Sequence, residues 1–315
     1  MFGQENAVWT ESLYLRGYRP STGRKLVEKD LRDYANILKE NDIKYAYIFA
    51  GPFKKDGHLP QYPFSEQAKR SVSKIKEYYP EIRILPWIGG VQNKTVYLGD
   101  SVWVENALED TQKLVETLGV SGIHIDFEYI LKGDPYLDLT IEAEKQGDRK
   151  AYGKNVNLFH KKLRRILPNA FISSVVVSTS PNTKQWKRKT TIEELNVLLR
   201  YVDQLSFLFY DTQINKQQQF ELSCIEQIRD IKILKKLNGD SQFLMAIGTF
   251  INRPELHKYR NLEIESISNT IATIKNSSIS VDTSMRVIDG IAIFCDWETD
   301  NSEWEEFRNN WVGDN

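Results

Sequence analysis

Eight short runs rich in apolar and β-branched residues alternate with longer segments of helical periodicity along this 315-residue chain. Strands that are buried on both faces read as nearly continuous apolar runs, as these do. The runs are SLYLRGY (12–18), KYAYIFA (44–50), IRILPWI (82–88), GIHIDFE (122–128), FISSVVVS (171–178), QLSFLFY (204–210), FLMAIGTF (243–250) and GIAIFCDW (290–297). This alternation predicts a parallel sheet that is covered by helices.

Eight strand–helix units indicate an α/β fold, a single (β/α)8 TIM barrel with no large insertion domain. An open doubly wound sheet is the alternative. Such a sheet usually has a glycine-rich phosphate loop after its first strand, and LRGYRPSTG does not resemble one. We expect residues 1–10 to form an N-terminal extension and residues 11–315 the catalytic barrel. Capping boxes are predicted for two helices, Thr191 with Glu194 and Ser302 with Glu305.

Composition and charge argue against several classes of partner. The net charge is −1, with acidic and basic residues interspersed, whereas nucleic-acid and membrane-surface binders need a basic face. No apolar run reaches the roughly 18 residues of a transmembrane helix. The start of the chain does not resemble a signal peptide, so we expect a cytoplasmic protein, or a secreted or cell-surface one if a leader was removed. We also expect a monomer without a cofactor, and two buried free thiols at Cys224 and Cys295.

One predicted strand carries three ionisable residues on a single face. In SGIHIDFEYI, His124, Asp126 and Glu128 occupy every second position, and alternate residues of a strand point the same way. Burying three such groups is costly unless they pair, bind a metal or do chemistry. Active sites of these barrels lie where the strands end, so Glu128 is expected at the mouth, with Asp126 one pleat deeper and His124 below it.

Three interpretations of these residues are open. The first is a buried polar network. The second is a metal site, which is disfavoured because ligands on one strand lie in a line, and no His-x-His or His-x-x-x-His spacing occurs. The third is glycoside hydrolysis with Glu128 as general acid, which normally needs a second carboxylate across the scissile bond. Asp211 could supply it, or the N-acetyl carbonyl of the substrate could be the nucleophile, with Asp126 on its amide N–H and Tyr210 on its oxygen.

The segment SGIHIDFE (121–128) resembles a signature of glycoside hydrolase family 18, the chitinase and endo-β-N-acetylglucosaminidase family. The pattern of that signature is D-G-x-D-x-D-x-E. Gly122, Asp126 and Glu128 match this pattern. Ser121 and His124 each replace an Asp.

Three further runs resemble motifs of the same family, in the expected strand order. LFYD resembles M-x-Y-D and retains Tyr210 and Asp211. WIGG resembles S-x-G-G, with Trp87 in place of Ser. GIAIFCDW resembles the strand that delivers a sugar-stacking Trp to the barrel floor, which would place Phe294 at that position and Trp297 after it.

The resemblance implies substrate-assisted, retaining hydrolysis of a β-linked N-acetylglucosamine glycan: a chitin oligosaccharide, an N-glycan core or a peptidoglycan-type substrate. Glu128 would protonate the leaving oxygen and later activate water. Asp126 would orient the acetamido group and stabilise the oxazolinium intermediate. Tyr210 would hold the acetyl oxygen, and Asp211 a neighbouring hydroxyl or the acetyl group. His124, expected to titrate near its ordinary pKa of about 6.5, would tune Asp126.

Aromatic residues at the mouth are expected to stack on the sugar. The candidates are Trp87, Phe294, Trp297 and Tyr14, each of which could instead be core packing. Barrels of this family also include catalytically silent glycan-binding proteins, which usually lack the terminal Glu. Because Glu128 is present, we expect an enzyme, and we keep the lectin as the alternative.

Overall fold

The sheet closes on itself. The computed structural model describes residues 4–129, 149–177, 190–249, 260–283 and 286–313. Within these residues every pairing between strands is parallel, and β1 pairs with both β2 and β9. The strands are β1 (Asn6–Thr10), β2 (Ile43–Pro52), β3 (Arg83–Ile84), β4 (Trp87–Val91), β5 (Gly122–Glu128), β6 (Phe171–Val176), β7 (Gln204–Leu208), β8 (Gln242–Gly248) and β9 (Gly290–Phe294).

The short β3 and β4 are two parts of one barrel strand. Both pair with β2, and Leu85 and Pro86 separate them. Proline has no N–H to donate to the sheet, but its carbonyl still accepts from the His124 N–H at 3.0 Å. Counting β3 and β4 together, the barrel has eight strands, which confirms the predicted (β/α)8 fold.

Helices cover the outside of the barrel. Their apolar faces, with outward-facing strand residues such as Ile123, Ile125 and Phe127, form the larger hydrophobic core. No helix in the described part of the chain is long and apolar enough to cross a membrane. The helices are α1 (Leu13–Arg16), α2 (Glu28–Glu40), α3 (Glu66–Tyr78), α4 (Ser101–Leu118), α5 (Arg149–Ile166), α6 (Ile192–Leu198), α7 (Gln217–Leu237), α8 (Ile267–Val281) and α9 (Asn301–Phe307).

The prediction for the first strand is wrong. Strand β1 is Asn6–Thr10, inside the segment that we expected to be an extension, and all five of its residues are buried. The run SLYLRGY instead contains the single-turn helix α1, which Gly17 ends in a left-handed conformation with φ 77°. Two apolar residues two positions apart, Leu13 and Leu15, suit one face of a strand, but a pattern this short does not exclude a helical turn.

The barrel interior holds a second, smaller core. In it, Trp9, Tyr45 and Tyr47 lie together with smaller residues such as Leu244 and Ala246 of β8. Cys224 and Cys295 are buried free thiols, as predicted. The last residues of two predicted strands, Ser178 and Phe250, lie outside the described residues.

One of the two predicted capping boxes is confirmed. At α6, the Glu194 N–H donates to Thr191 Oγ1 at 3.2 Å, and the Thr191 N–H donates to Glu194 Oε2 at 2.9 Å. The other is wrong, because Asp300, two residues before Ser302, is the N-cap of α9 and forms the box with Glu303. Asp and Ser are comparable caps, so the sequence pattern did not choose between them.

Replacing Asp300 by Ala should therefore lower the free energy of unfolding by about 1 kcal/mol, the usual cost of losing a cap. Ser302→Ala is the matched control and should change it by less than about 0.5 kcal/mol. Urea unfolding followed by circular dichroism measures both values. A larger loss in Ser302→Ala than in Asp300→Ala would contradict the observed start of α9.

Candidate active site

Strand β5 presents its three ionisable residues to the barrel interior in order of depth. The residues between them face the outer core, so His124, Asp126 and Glu128 point inward. The His124 side chain is fully buried, whereas Asp126 and Glu128 are half-buried. The predicted arrangement, with Glu128 nearest the mouth, is therefore present.

The Asp126 carboxylate is held by an indole. Trp87, on the neighbouring strand β4, donates its Nε1–H to Asp126 Oδ2 at 3.0 Å. The other oxygen, Oδ1, is buried and has no hydrogen-bond partner among the described residues. Trp87 was predicted to stack on sugar, and its contact with Asp126 was not expected from the sequence.

The two strands approach each other closely beside Asp126. A Cβ atom on Gly89 would lie 1.9 Å from the Asp126 carbonyl oxygen, so only glycine fits there. This explains why the WIGG run has glycine next to β5, and the close approach fixes the position of Trp87 relative to Asp126.

The pKa of Asp126 is raised well above its usual range. Burial of the carboxyl is the main cause, and the nearby Glu128 carboxylate adds to it. The hydrogen bond from Trp87 acts in the opposite direction, because it favours the charged form. Asp126 is thus a carboxyl that retains its proton at a higher pH than an exposed aspartate does.

His124 does not have the predicted role of a group titrating near pH 6.5. Burial lowers the pKa of its imidazole well below that value, so the ring is neutral. Its Nδ1 is 2.8 Å from Ser173 Oγ, and its ring stacks on Tyr47 with centroids 3.7 Å apart. The sequence pattern shows the face of the strand on which His124 lies. It does not show that the hydrogen-bond partner of Nδ1 is Ser173 of β6 and not Asp126.

Aromatic side chains from several strands form a wall around the mouth, from β4 next to β5 to β9 on the opposite side. Phe294 stacks on Tyr210 with centroids 5.2 Å apart and ring planes 5° apart. Trp87, Trp297 and Trp9 contact Phe294 edge-on, with centroids 6.2, 5.7 and 5.7 Å away. The structure therefore brings together four predicted residues, and adds Trp9, which was missed because its strand was assigned to the N-terminal extension.

Tyr14 lies elsewhere at the same end of the barrel. It stacks on Tyr34 of α2, with centroids 4.2 Å apart, and Tyr34 in turn hydrogen-bonds Thr10 at 2.6 Å. Burial, followed by the charge of Asp296, raises the pKa of Tyr14 well above its usual value. The position of Tyr14 follows from the helical turn that replaces the predicted first strand.

Asp211 is part of a buried ion pair. Its Oδ1 accepts from Arg260 Nε at 2.9 Å and from Arg260 Nη2 at 2.6 Å, and both side chains are almost completely buried. The next residue, Thr212, donates its hydroxyl to Glu265 at 2.7 Å, while burial raises the pKa of Glu265 to about 7. Arg260 has no sequence motif around it, so its partnership with Asp211 was not predictable.

The described residues contain no group of three or more His, Cys, Asp and Glu side chains arranged to hold a metal ion. The side chains at the mouth are instead a carboxyl pair, an indole donor and an aromatic wall. This combination suits recognition of a ring with both apolar and hydrogen-bonding faces.

Comparisons with solved structures identify the architecture. An Ostrinia furnacalis Group IV chitinase in complex with allosamidin superposes with a TM-score of 0.63 at 9% identity, over 98% of each chain. The Bacillus cereus spore cortex-lytic enzyme SleL gives 0.61 at 13% identity, over 98% of this chain and 75% of that one. A GH18 chitinase from Flavobacterium johnsoniae gives 0.56 at 14% identity, over 99% and 95%.

These likenesses show that the chain has a glycoside hydrolase family 18 chitinase-like fold. No family model and no curated protein sequence matches it. At identities this low the superpositions concern the fold, and the chemistry has to be argued from the site itself.

Replacing Trp87 by Phe should raise the pKa of Asp126 further, because the variant keeps an aromatic ring but loses the N–H that favours the ionised carboxylate. A carboxyl-13C NMR titration of Asp126 measures this. Trp297→Phe, which changes another indole of the same wall, is the control and should leave the pKa unchanged. An unchanged or lower pKa in Trp87→Phe would contradict the role of the hydrogen bond.

Proposed function

We propose that this protein is a glycoside hydrolase that cleaves β-linked N-acetylglucosamine glycans by a substrate-assisted, retaining mechanism. The observation that carries the proposal is the pair of half-buried carboxyls on β5, Asp126 and Glu128, with Trp87 bonded to the deeper one. The chitinase-like fold supports the same reaction class.

The carboxyl pair is suited to share one proton. A proton on Glu128 removes the negative charge that raises the pKa of Asp126, so Asp126 ionises more readily in that state. The indole N–H of Trp87 also favours charge on Asp126. A protonated Glu128, which can act as general acid, is therefore compatible with an ionised Asp126 beneath it.

Substrate assistance follows from the placement of the two carboxyls. Asp126 and Glu128 are one pleat apart on the same strand, about 6.5–7 Å along it, and cannot lie on opposite sides of one sugar ring. The acetamido carbonyl of the substrate would therefore attack C1 while Glu128 protonates the leaving oxygen. Ionised Asp126 would accept from the acetamido N–H and stabilise the oxazolinium, and Glu128 would then deprotonate the attacking water.

The aromatic wall would position the reacting sugar. Phe294 would provide the apolar platform, and Trp297 would extend it towards the mouth. Tyr210, stacked on Phe294, would donate its hydroxyl to the acetyl oxygen. Asp211 would act as a positioning residue, because its ion pair with Arg260 holds the backbone next to Tyr210.

The substrate would be a soluble or branched oligosaccharide or glycoconjugate, such as a chitin oligosaccharide, an N-glycan core or a peptidoglycan-type fragment. The protein would act on it as a monomer. Only residues 249–266 connect β8 to α8, which leaves no room for a large domain walling a deep cleft. Part of that connection, residues 250–259, lies outside the described residues.

A catalytically silent glycan-binding barrel is the second candidate. The observation that favours it is the side chain of His124, a neutral imidazole bonded to Ser173 at a position where the family has an acidic residue. Direct measurement of cleavage separates the two functions.

Glu128→Gln should lower kcat on a chitin oligosaccharide by about 10²–10⁴-fold, the usual contribution of a general acid, while preserving binding. Product release measured by chromatography, with binding measured by calorimetry, tests this. Glu116→Gln, on the exposed face of α4, is the control and should be fully active. Wild-type turnover in Glu128→Gln would refute the assigned role, and binding without any cleavage by the wild type would favour the lectin.

A substrate lacking the N-acetyl group should be cleaved at least about 10²-fold more slowly than its acetylated counterpart, since the nucleophile is then missing. Rates on paired chitosan and chitin oligosaccharides of equal length provide the measurement. Equal rates on the two would show that the nucleophile comes from the protein and would end the substrate-assisted proposal.

A further inference from the structure

A chain of hydrogen bonds runs through the barrel interior from the catalytic strand to the opposite end of the barrel. His124 Nδ1 lies 2.8 Å from Ser173 Oγ, and Ser173 Oγ lies 2.8 Å from Gln204 Oε1. Gln204 Nε2 lies 2.9 Å from Gln242 Oε1, and Gln242 Nε2 lies 3.0 Å from Glu5 Oε2. Glu5, just before β1, is half-buried, while His124, Ser173 and Gln204 are fully buried.

The carboxylate at the end of this chain sets the direction of every hydrogen bond in it. An ionised Glu5 can only accept, so the amide of Gln242 must present its NH2 group to it. Gln242 then presents its oxygen to Gln204, and the Gln204 amide must in turn present its NH2 group to Gln242. The Gln204 oxygen is thereby left facing the interior below the site.

That oxygen receives two hydroxyl groups, one from Tyr47 and one from Ser173. Because the Ser173 proton is directed at Gln204, Ser173 Oγ can only accept from His124. The proton of His124 must then be on Nδ1. The ring is neutral, since burial lowers its pKa well below the usual value, and so Nε2 carries no proton.

We propose that Glu5, acting through Gln242, Gln204 and Ser173, locks His124 in the Nδ1–H tautomer and so keeps Nε2 as a hydrogen-bond acceptor for the carboxylic-acid form of Asp126. Asp126 is the next side chain towards the mouth on the same face of β5. Among the described residues, His124 Nε2 and Asp126 Oδ1 are both buried atoms without a hydrogen-bond partner. An acceptor and a proton-bearing oxygen that are linked through one water satisfy each other.

The opposite tautomer is disfavoured by the same geometry. A proton on Nε2 would make Nδ1 an acceptor, and Ser173 would have to turn its hydroxyl towards it. Ser173 Oγ and Gln204 Oε1 would then be two acceptors facing each other, and reversing Gln204 and Gln242 to relieve this would place the Gln242 oxygen against the Glu5 carboxylate. Glu5 is therefore a positioning residue that acts on the site from the far end of the barrel.

Nitrogen-15 NMR of histidine-labelled protein tests the proposal, because protonated and unprotonated ring nitrogens have well-separated shifts. In the wild type, the population of the Nδ1–H tautomer of His124 should exceed that of the Nε2–H tautomer by at least about tenfold. The Nε2–H tautomer makes two acceptors face each other, and the free-energy cost of this lowers its population by about that factor. Glu5→Gln replaces the carboxylate by an amide that can also donate, and this ratio should fall at least about fivefold.

Two controls accompany this measurement. Tyr45→Phe removes the other donor to Glu5, at 2.8 Å, but keeps the carboxylate and should preserve the ratio. His160, whose Nδ1 lies 2.9 Å from the Val156 carbonyl oxygen, is an internal reference that should stay Nδ1–H throughout. Asp126→Ala should shift the Nε2 resonance of His124, because it removes the proposed donor.

Comparable tautomer populations in the wild type would overturn the proposal, as would an unchanged ratio in Glu5→Gln. An Nε2 resonance that is the same in Asp126→Ala would overturn the part that concerns Asp126. The relevance of the His124 tautomer to catalysis rests on the proposed function, but the tautomer inference and the proposed function can fail separately. A locked tautomer in a protein that cleaves no glycan would refute only the function, whereas an active enzyme with mixed tautomers would refute only this inference.

Discussion

Closure of the sheet between β1 and β9 is the constraint on which the site depends. It brings Trp9 of the first strand against Phe294 of the last, so that the aromatic wall has a continuous base. It also shields the lower interior from bulk solvent, and His124 is fully buried there. Removal from water is the main cause of the raised pKa of Asp126 and of the lowered pKa of His124.

Within that interior, His124 and Asp126 each have a different neighbour. Trp87 donates to Asp126 and opposes the effect of burial on its charge. Ser173 takes the Nδ1 side of His124 and connects it to amides lower in the barrel. The two deeper polar groups of β5 thus depend on side chains from the strands on either side of it, β4 and β6.

The alternation of apolar and polar residues predicted strands correctly where the apolar run was long and ended in residues of a known motif. GIHIDFE coincides with β5, and its alternation identified which side chains enter the barrel. The same reasoning failed at SLYLRGY, where two apolar residues suited a strand or a single helical turn. It failed again at the start of α9, where Asp300 and Ser302 are equally good caps by residue type.

The sequence by itself determined the order of strands and helices from α2 onward, the face of β5 that bears the carboxyls, and the strand ends that supply Tyr210 and Phe294. These features depend on residue periodicity and on position within the chain. Only the tertiary structure decided the partners: Trp87 for Asp126, Ser173 for His124 and Arg260 for Asp211. A partner is chosen by which side chains the closed barrel brings within hydrogen-bonding distance, and that distance has no counterpart in the spacing of residues along the chain.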